Sequence, residues 1–387
     1  MTRMLVAAAL AAAVVAGCGG GSDEGSDVAG NEAAGAEEAP FGTSGWSTDF
    51  SSHSVPLDGF VGGGPPKDGI PSIDDPHFVS GVEADEFLAP REPVAVVELD
   101  GEVRAYPIQI LTWHEIVNDE IAGEAVAVTY CPLCNSTVAF RREVDGEAVE
   151  FGTTGMLRNS DLVMYDRKTE SWWQQVTAEA VVGELTGERL EVLPSQILSW
   201  AQLQRLHPDA RVLSRDTGFD RDYGTNPYRS YDSNPDSRPF LLAGEPDRSL
   251  PPKERVAAVK TGGRSAVVYP FSTLLREAPI NDRIGGEPVV VLFDPDVASA
   301  LDATLVSGGR SVGAAAVFSR AVGTRALGFT AGAQPGTFRD RETGSGWDLR
   351  GRATSGPLAG TQLEQIPHDD QFWFALAAFY PRAEIRR

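Results

Sequence analysis

Tyr130-Cys131-Pro132-Leu133-Cys134-Asn135 places two thiols two residues apart at the end of an apolar run. That spacing supports three chemistries. Two thiolates can hold one metal ion, because a tight Cys-x-x-Cys turn points both sulfurs inward. The pair can cycle between dithiol and disulfide. Or it can be a plain structural disulfide, although so short a loop adds little entropic stabilisation. The residues that follow, Ser136-Thr137-Val138-Ala139-Phe140, read as strand. A thioredoxin-like pair sits instead at a helix N-terminus, where the dipole lowers the thiol pKa, so that comparison loses ground. No second Cys-x-x-Cys exists to complete a zinc ribbon, and a metal would need other donors.

His114 is the leading donor, at the end of the preceding helical pattern. Met164 and Met156 offer thioethers, and Asp166 an oxygen. Two Cys, one His and a Met would form a soft site suited to copper. Two Cys, one His and a water would resemble an open zinc site. Copper is placed before zinc. The plainer alternatives are a helix-terminal His114 bonded to backbone and methionines that fill the core. Glu115, beside His114, could act as a general base near a metal or be a solvated helix residue. His53, His77, His207 and His368 show no ligand spacing. The chain lacks a Gly-x-Ser-x-Gly elbow, a phosphate-binding Gly-x-x-x-x-Gly-Lys loop and a His-Glu-x-x-His pair. Phe151-Gly152-Thr153-Thr154-Gly155-Met156 reads as a turn or close packing.

The elements that must position these groups are mostly strands. Residues 94–99 and 102–106 alternate around Asp100-Gly101, a hairpin pattern. Residues 108–117 have helical spacing, with Ile108, Leu111 and Ile116 on one side. Residues 125–130, 136–142, 149–153, 161–166 and 289–293 read as strands, and 196–206 as a short helix ending before His207-Pro208.

Much of the pattern occurs twice. Ala105-Tyr106-Pro107 matches Val268-Tyr269-Pro270, and Asn118-Asp119 matches Asn281-Asp282, at an offset of about 163 residues. After a drift, Asp166-Arg167-Lys168-Thr169 pairs with Asp340-Arg341-Glu342-Thr343, Trp173 with Trp347, and Trp200 with Trp373. A period this long means two similar modules rather than a solenoid. Residues present in both are read as structural. Cys131, Cys134 and His114 correspond to Asp294, Val297 and Glu277, so the second module lacks the soft-ligand set. The expected fold is α+β, mostly β with short helices, in two similar modules from an internal duplication. The first spans 51–213, a connecting loop 214–250, and the second, without the Cys/His site, 251–387.

The N-terminus carries one basic residue, an apolar run from Leu5 to Ala16, and then Gly17-Cys18. This is an export-signal pattern, too short for a stable membrane span. Val15-Ala16-Gly17-Cys18 resembles a bacterial lipobox, which implies a signal peptide over 1–17 and lipidation at Cys18. Several acyl chains would anchor the protein to the extracytoplasmic face of the cell membrane, each buried CH₂ contributing roughly 0.8 kcal/mol. Residues 18–50 then read as a flexible acidic, Gly/Ser-rich tether. A net charge of −22 argues against a nucleic-acid partner, since nothing builds a basic stripe.

His114-Glu-Ile-Val-Asn-Asp119, Val128-Thr-Tyr-Cys-Pro-Leu-Cys134, Asn159-Ser-Asp-Leu-Val-Met-Tyr-Asp-Arg167 and Arg221-Asp-Tyr-Gly224 together resemble domain-of-unknown-function family 3179. The similarity runs from about Gly69 to the C-terminus. It supports the architecture and supplies no activity, cofactor or catalytic residue. The sequence expectation is therefore an extracytoplasmic lipoprotein with a metal-binding or redox site at Cys131, Cys134 and His114. The alternatives are a metal-free thiol–disulfide oxidoreductase and a non-catalytic surface protein with a structural disulfide. Whether it is an enzyme, and which small molecule or protein it meets, stay open at this level.

Overall fold

Apolar residues alternating on either side of Asp100-Gly101 make the hairpin expected there. Pro93–Leu99 pairs antiparallel with Glu102–Pro107. Asp100 (φ 49°) and Gly101 (φ 83°) both turn left-handed, which matches the right-handed twist of the strands. In the computed structural model, which describes residues 39–387, this hairpin gains a strand on each side. Gln196–Ser199 joins Pro93–Leu99 antiparallel, and Arg211–Leu213 joins Glu102–Pro107 in parallel.

The helix expected over 108–117 is shorter, Ile108–His114. Glu115 takes a left-handed conformation (φ 59°), and its N–H bonds the Leu111 carbonyl at 2.7 Å, which ends the helix. The chain then enters the sheet Ile116–Ile121, Glu124–Cys131, Ser136–Arg141 and Glu191–Leu193. A second sheet carries Phe151–Arg158, Asp161–Asp166, Trp172–Gln174 and Glu179–Val182. The segment 196–206, expected as one helix, is a strand and then a helix. Ser199 caps Trp200–Leu206 in a reciprocal pair with Gln202, satisfying two orphan donors at once.

The order of elements recurs beyond residue 254. Arg255–Gly262 and Ser265–Pro270 form a hairpin, followed by helix Phe271–Glu277 and the sheet Ile280–Ile284, Glu287–Asp294, Ala314–Ser319. Asp369–Phe372, helix Trp373–Phe379 and the parallel strand Arg382–Ile385 complete it. Residues shared by the two halves make the same bonds. Asn118 and Asn281 each clamp one residue of the facing sheet: their amides donate to the Phe151 and Phe329 carbonyls and accept from the same residues' N–H groups. Tyr106 donates to Asp119 as Tyr269 does to Asp282. The Trp173 and Trp347 indoles donate to Asp166 and Asp340 at 3.0 and 2.9 Å.

The architecture is α+β and mostly β, and among the described residues no helix is long and apolar enough to cross a membrane. The described residues, 39–387, belong to one compact unit. Val94, Trp200 and Leu203 share a core with Val290, Phe318 and Trp347. The tether expected over 18–50 ends earlier in its described part. Phe41, Trp46 and Phe50 pack around the fully buried Trp172, with ring centroids 5.1–5.4 Å away. Three aromatic rings in ten residues provide the apolar area that a solvated tether lacks. The proposed signal peptide and Cys18 lie outside the described residues.

The side-chain clamp at Asn118 makes a testable point about stability. Asn118→Ala leaves the buried N–H and C=O of Phe151 without these partners. It is expected to lower unfolding free energy by about 1–3 kcal/mol, read from urea denaturation.

Candidate functional site

Two hairpin turns meet at the site. In the first, strand Glu124–Cys131 returns through Pro132-Leu133-Cys134-Asn135 into Ser136–Arg141, with Cys131 opposite Ser136. Asn135 supplies the left-handed residue (φ 50°) that a tight return needs. In the second, Asn159 (φ 52°) and Ser160 (φ 68°) join Phe151–Arg158 to Asp161–Asp166. Two consecutive left-handed residues give the turn whose twist suits a hairpin. Both thiols donate to the Ser160 carbonyl, Cys131 at 3.5 Å and Cys134 at 3.4 Å.

The next residue, Asp161, completes a cluster. A carboxylate oxygen of Asp161 and the two sulfurs all lie within 4.8 Å of one another. Asp161 Oδ2 accepts from Gln174 Nε2 at 2.6 Å and from the Val176 N–H at 3.0 Å. Its Oδ1 is buried with no hydrogen-bond partner among the described residues. The second half closes the site from behind. The Phe372 N–H donates to the Cys134 carbonyl at 2.9 Å, and Phe372, Phe374 and Ala375 share the apolar cluster that holds both cysteines. Lys260 pairs with Asp369 and donates to the Val176 carbonyl, which steadies the peptide that binds Asp161.

Burial dominates the electrostatics. It raises the Cys131 thiol and pushes Cys134 well above the ordinary thiol range. It lifts Asp161 to about 6, against the pull of the Val176 N–H and the Gln174 amide. Glu115 goes to about 8, through burial and then the nearby charge of Asp161. Each group resists carrying a negative charge alone. A bound cation, or retained protons, would relieve all of them.

Both cysteines are free thiols and come together as expected. His114 does not join them. Its Nδ1 is bonded to the Pro71 carbonyl at 2.7 Å and its Nε2 to the Tyr223 hydroxyl at 2.6 Å. Both ring nitrogens are thus occupied, and the imidazole instead holds the connecting loop, between Phe219 and Tyr223. Asp161 takes the third position. Met164 is fully buried in the same core as the cysteines and serves packing there. Asp166 accepts from Thr169 and the Trp173 indole, a structural role. Asp161 was missed although a signal existed. At the offset that pairs Asp166 with Asp340, Asp161 falls on Pro335, so it too is a side chain found in one half only.

A cleft of about 230 Å³ opens on Cys131 and Glu115, and Cys134 lies behind it. Its shape comes from a bulge. The register between the two strands shifts between Thr153 and Leu157, and Gly155 (φ 74°) lets Pro65 approach so closely that a Cβ there would stand 2.3 Å from the Pro65 carbonyl oxygen. The connecting loop supplies the opposite wall with Tyr228, Phe240 and Leu241.

The raised carboxyls set a pH dependence. Between its ordinary value of 4.5 and about 8, folded Glu115 keeps a proton that the unfolded chain has lost. Its contribution is fully present below the lower value and disappears as pH rises through the higher one. Asp161, going from 3.8 to about 6, acts in the same direction. The wild type is expected to lose urea resistance between about pH 4 and about pH 8, and Glu115→Gln to lose less. Parallel profiles would contradict a buried, neutral Glu115.

Comparison with known proteins places this geometry in a family but not in a pathway. Neither the curated proteins nor the solved structures contain a match. One family model, described as a protein of unknown function (DUF3179), matches residues 67–383. That span covers both halves, the dithiol turn, Asp161 and the connecting loop; the chain belongs to the DUF3179 family.

Proposed function

We propose that this is a lipid-anchored, extracytoplasmic protein that binds one transition-metal ion at Cys131, Cys134 and Asp161. The convergence of two sulfurs and a carboxylate oxygen within 4.8 Å carries the reading, helped by the unpartnered Asp161 Oδ1. Two thiolates on one tetrahedral zinc stand about 3.8 Å apart, so the side chains need only small movements. The metal supplies the positive charge that lets three buried acids give up their protons. Three protein donors leave a fourth position open, on the side where Cys131 meets the cleft. With a carboxylate in place of imidazole or thioether, the donor set is harder than expected, and zinc moves ahead of copper.

The lipobox-like Val15-Ala16-Gly17-Cys18 supports the anchor and the cell-surface address. The recurring order of elements, with matching Asn, Asp, Tyr and Trp bonds, supports an origin by internal duplication in which the second half became a scaffold. One observation favours a second reading, metal-free thiol exchange: Cys131 lines the cleft while Cys134 sits behind it beside Asp161. A partner disulfide would be the oxidant. Its attack by Cys131 would release one thiol, and Cys134, losing its proton to Asp161, would then close the disulfide and release the other. The raised thiols count against it, because the thiolate is the attacking species.

Metal content of protein purified without chelators, followed by zinc titration against a chromophoric competitor, tests the site. One zinc per chain is expected. Cys131→Ser and Asp161→Asn should each weaken binding by about 100-fold, while Met164→Leu and His114→Gln leave it unchanged. Folded wild type that takes up neither zinc nor copper would exclude the metal reading. For the anchor, Cys18→Ala should move the protein from the membrane fraction to the soluble one.

A further inference from the structure

The cleft beside Cys131 holds polar groups that the metal reading does not use. Glu115 is 7% exposed and lines the cleft. Its carboxyl has no hydrogen-bond or ion-pair partner among the described residues, and it lies within electrostatic reach of Asp161, Cys131 and Tyr228. Tyr228, from the connecting loop, lines the same cleft. Its hydroxyl is likewise without a partner among the described residues, and the two groups are close enough for Glu115 to perturb Tyr228. The rest of the wall is apolar, including Pro65, Ile70, Leu133, Leu157, Leu162 and Phe240. Among the described residues, no Lys, Arg or His lines it.

We propose that this cleft binds a small, uncharged, largely apolar molecule whose polar group is a hydrogen-bond acceptor, such as a carbonyl oxygen, received by Glu115 and Tyr228. A carboxyl enclosed by apolar walls with no cation beside it keeps its proton and donates, as a phenol does; two such donors converging in a dry site hold a carbonyl oxygen well. In the metal-free chain an anionic ligand would meet Glu115 and the Cys131 thiol, with no cation among the lining residues to receive it. The volume of about 230 Å³ suits a molecule of one or two fused rings. The inference goes beyond the metal reading and does not depend on it.

The test is calorimetric titration of the chelator-treated full chain with three probes of one shape: 2-acetonaphthone, 2-naphthoate and 2-naphthylmethylammonium. The ketone is expected to bind one per chain, at least about ten-fold tighter than either charged probe. Tyr228→Phe and Glu115→Leu should each weaken it by about ten-fold, the value of one hydrogen bond in a dry site, and Glu115→Gln, which still donates, by less. Met156→Trp, which fills the cleft, should abolish binding while circular dichroism stays unchanged. Tighter binding of the ammonium probe would make Glu115 a counter-ion and overturn the proposal. So would equal binding of all three probes, or ketone affinity indifferent to Glu115, Tyr228 and Met156. Because the metal has been removed, failure here leaves the zinc titration untouched, and the reverse also holds.

Discussion

The site rests on a surplus of buried acids. Cys131, Cys134, Asp161 and Glu115 are all at least nine-tenths buried. Two basic side chains act on Asp161 without an ion pair to it: Lys260, whose own ion pair is with Asp369, and Arg158, its strand partner, which donates to Gln174. Burying one such group as an anion is costly, and burying several together compounds the cost. The surrounding structure satisfies them unevenly. The Ser160 carbonyl accepts from both thiols, and Gln174 and the Val176 N–H occupy one oxygen of Asp161 while the other is left bare. Where a fold leaves a buried carboxylate oxygen unpaired beside two sulfurs, the geometry is more use to a ligand than to stability.

The second half serves that geometry without contributing a donor to it. Its strand Asp369–Phe372 reaches the dithiol turn through the Phe372 N–H. Its side chains Phe372, Phe374 and Ala375 close the apolar cluster around the sulfurs. Where the first half ends a strand in Cys131, the second ends the corresponding strand, Glu287–Asp294, in a carboxylate. The Asn, Asp and Trp clamps nonetheless occur in both halves. The matching side chains hold sheets together, while Cys131, Cys134 and Asp161, which the second half does not repeat, form the site.

Much of this was readable from residue order. The hairpin at Asp100-Gly101, the strands at 125–130 and 289–293, and the clamp residues Asn118, Asp119, Asp166 and Trp173 follow from period-two alternation, turn chemistry and comparison of the chain with itself. The Cys131/Cys134 pair was legible because its spacing is local. Helix 108–117 was drawn too long, because apolar spacing carries on through Ile116 while the left-handed Glu115 stops the helix. The stretch 39–50 passed for tether because its few aromatic residues are diluted by Gly, Ser and Thr; only Trp172, more than a hundred residues away, explains them.

What the amino-acid order determined, then, was strand and turn identity, a mostly β fold and two thiols held at one turn, all of them consequences of contacts within a few residues. The third member of the cluster was a matter for tertiary structure. His114 and Asp161 are both far from the cysteines in sequence, and both have the right chemistry. A ring caught between the Pro71 carbonyl and the Tyr223 hydroxyl had no nitrogen left to offer. A carboxylate brought alongside the sulfurs by the Asn159-Ser160 turn had an oxygen to spare. Hydrogen-bond saturation of each donor depends on neighbours that only the folded chain assembles.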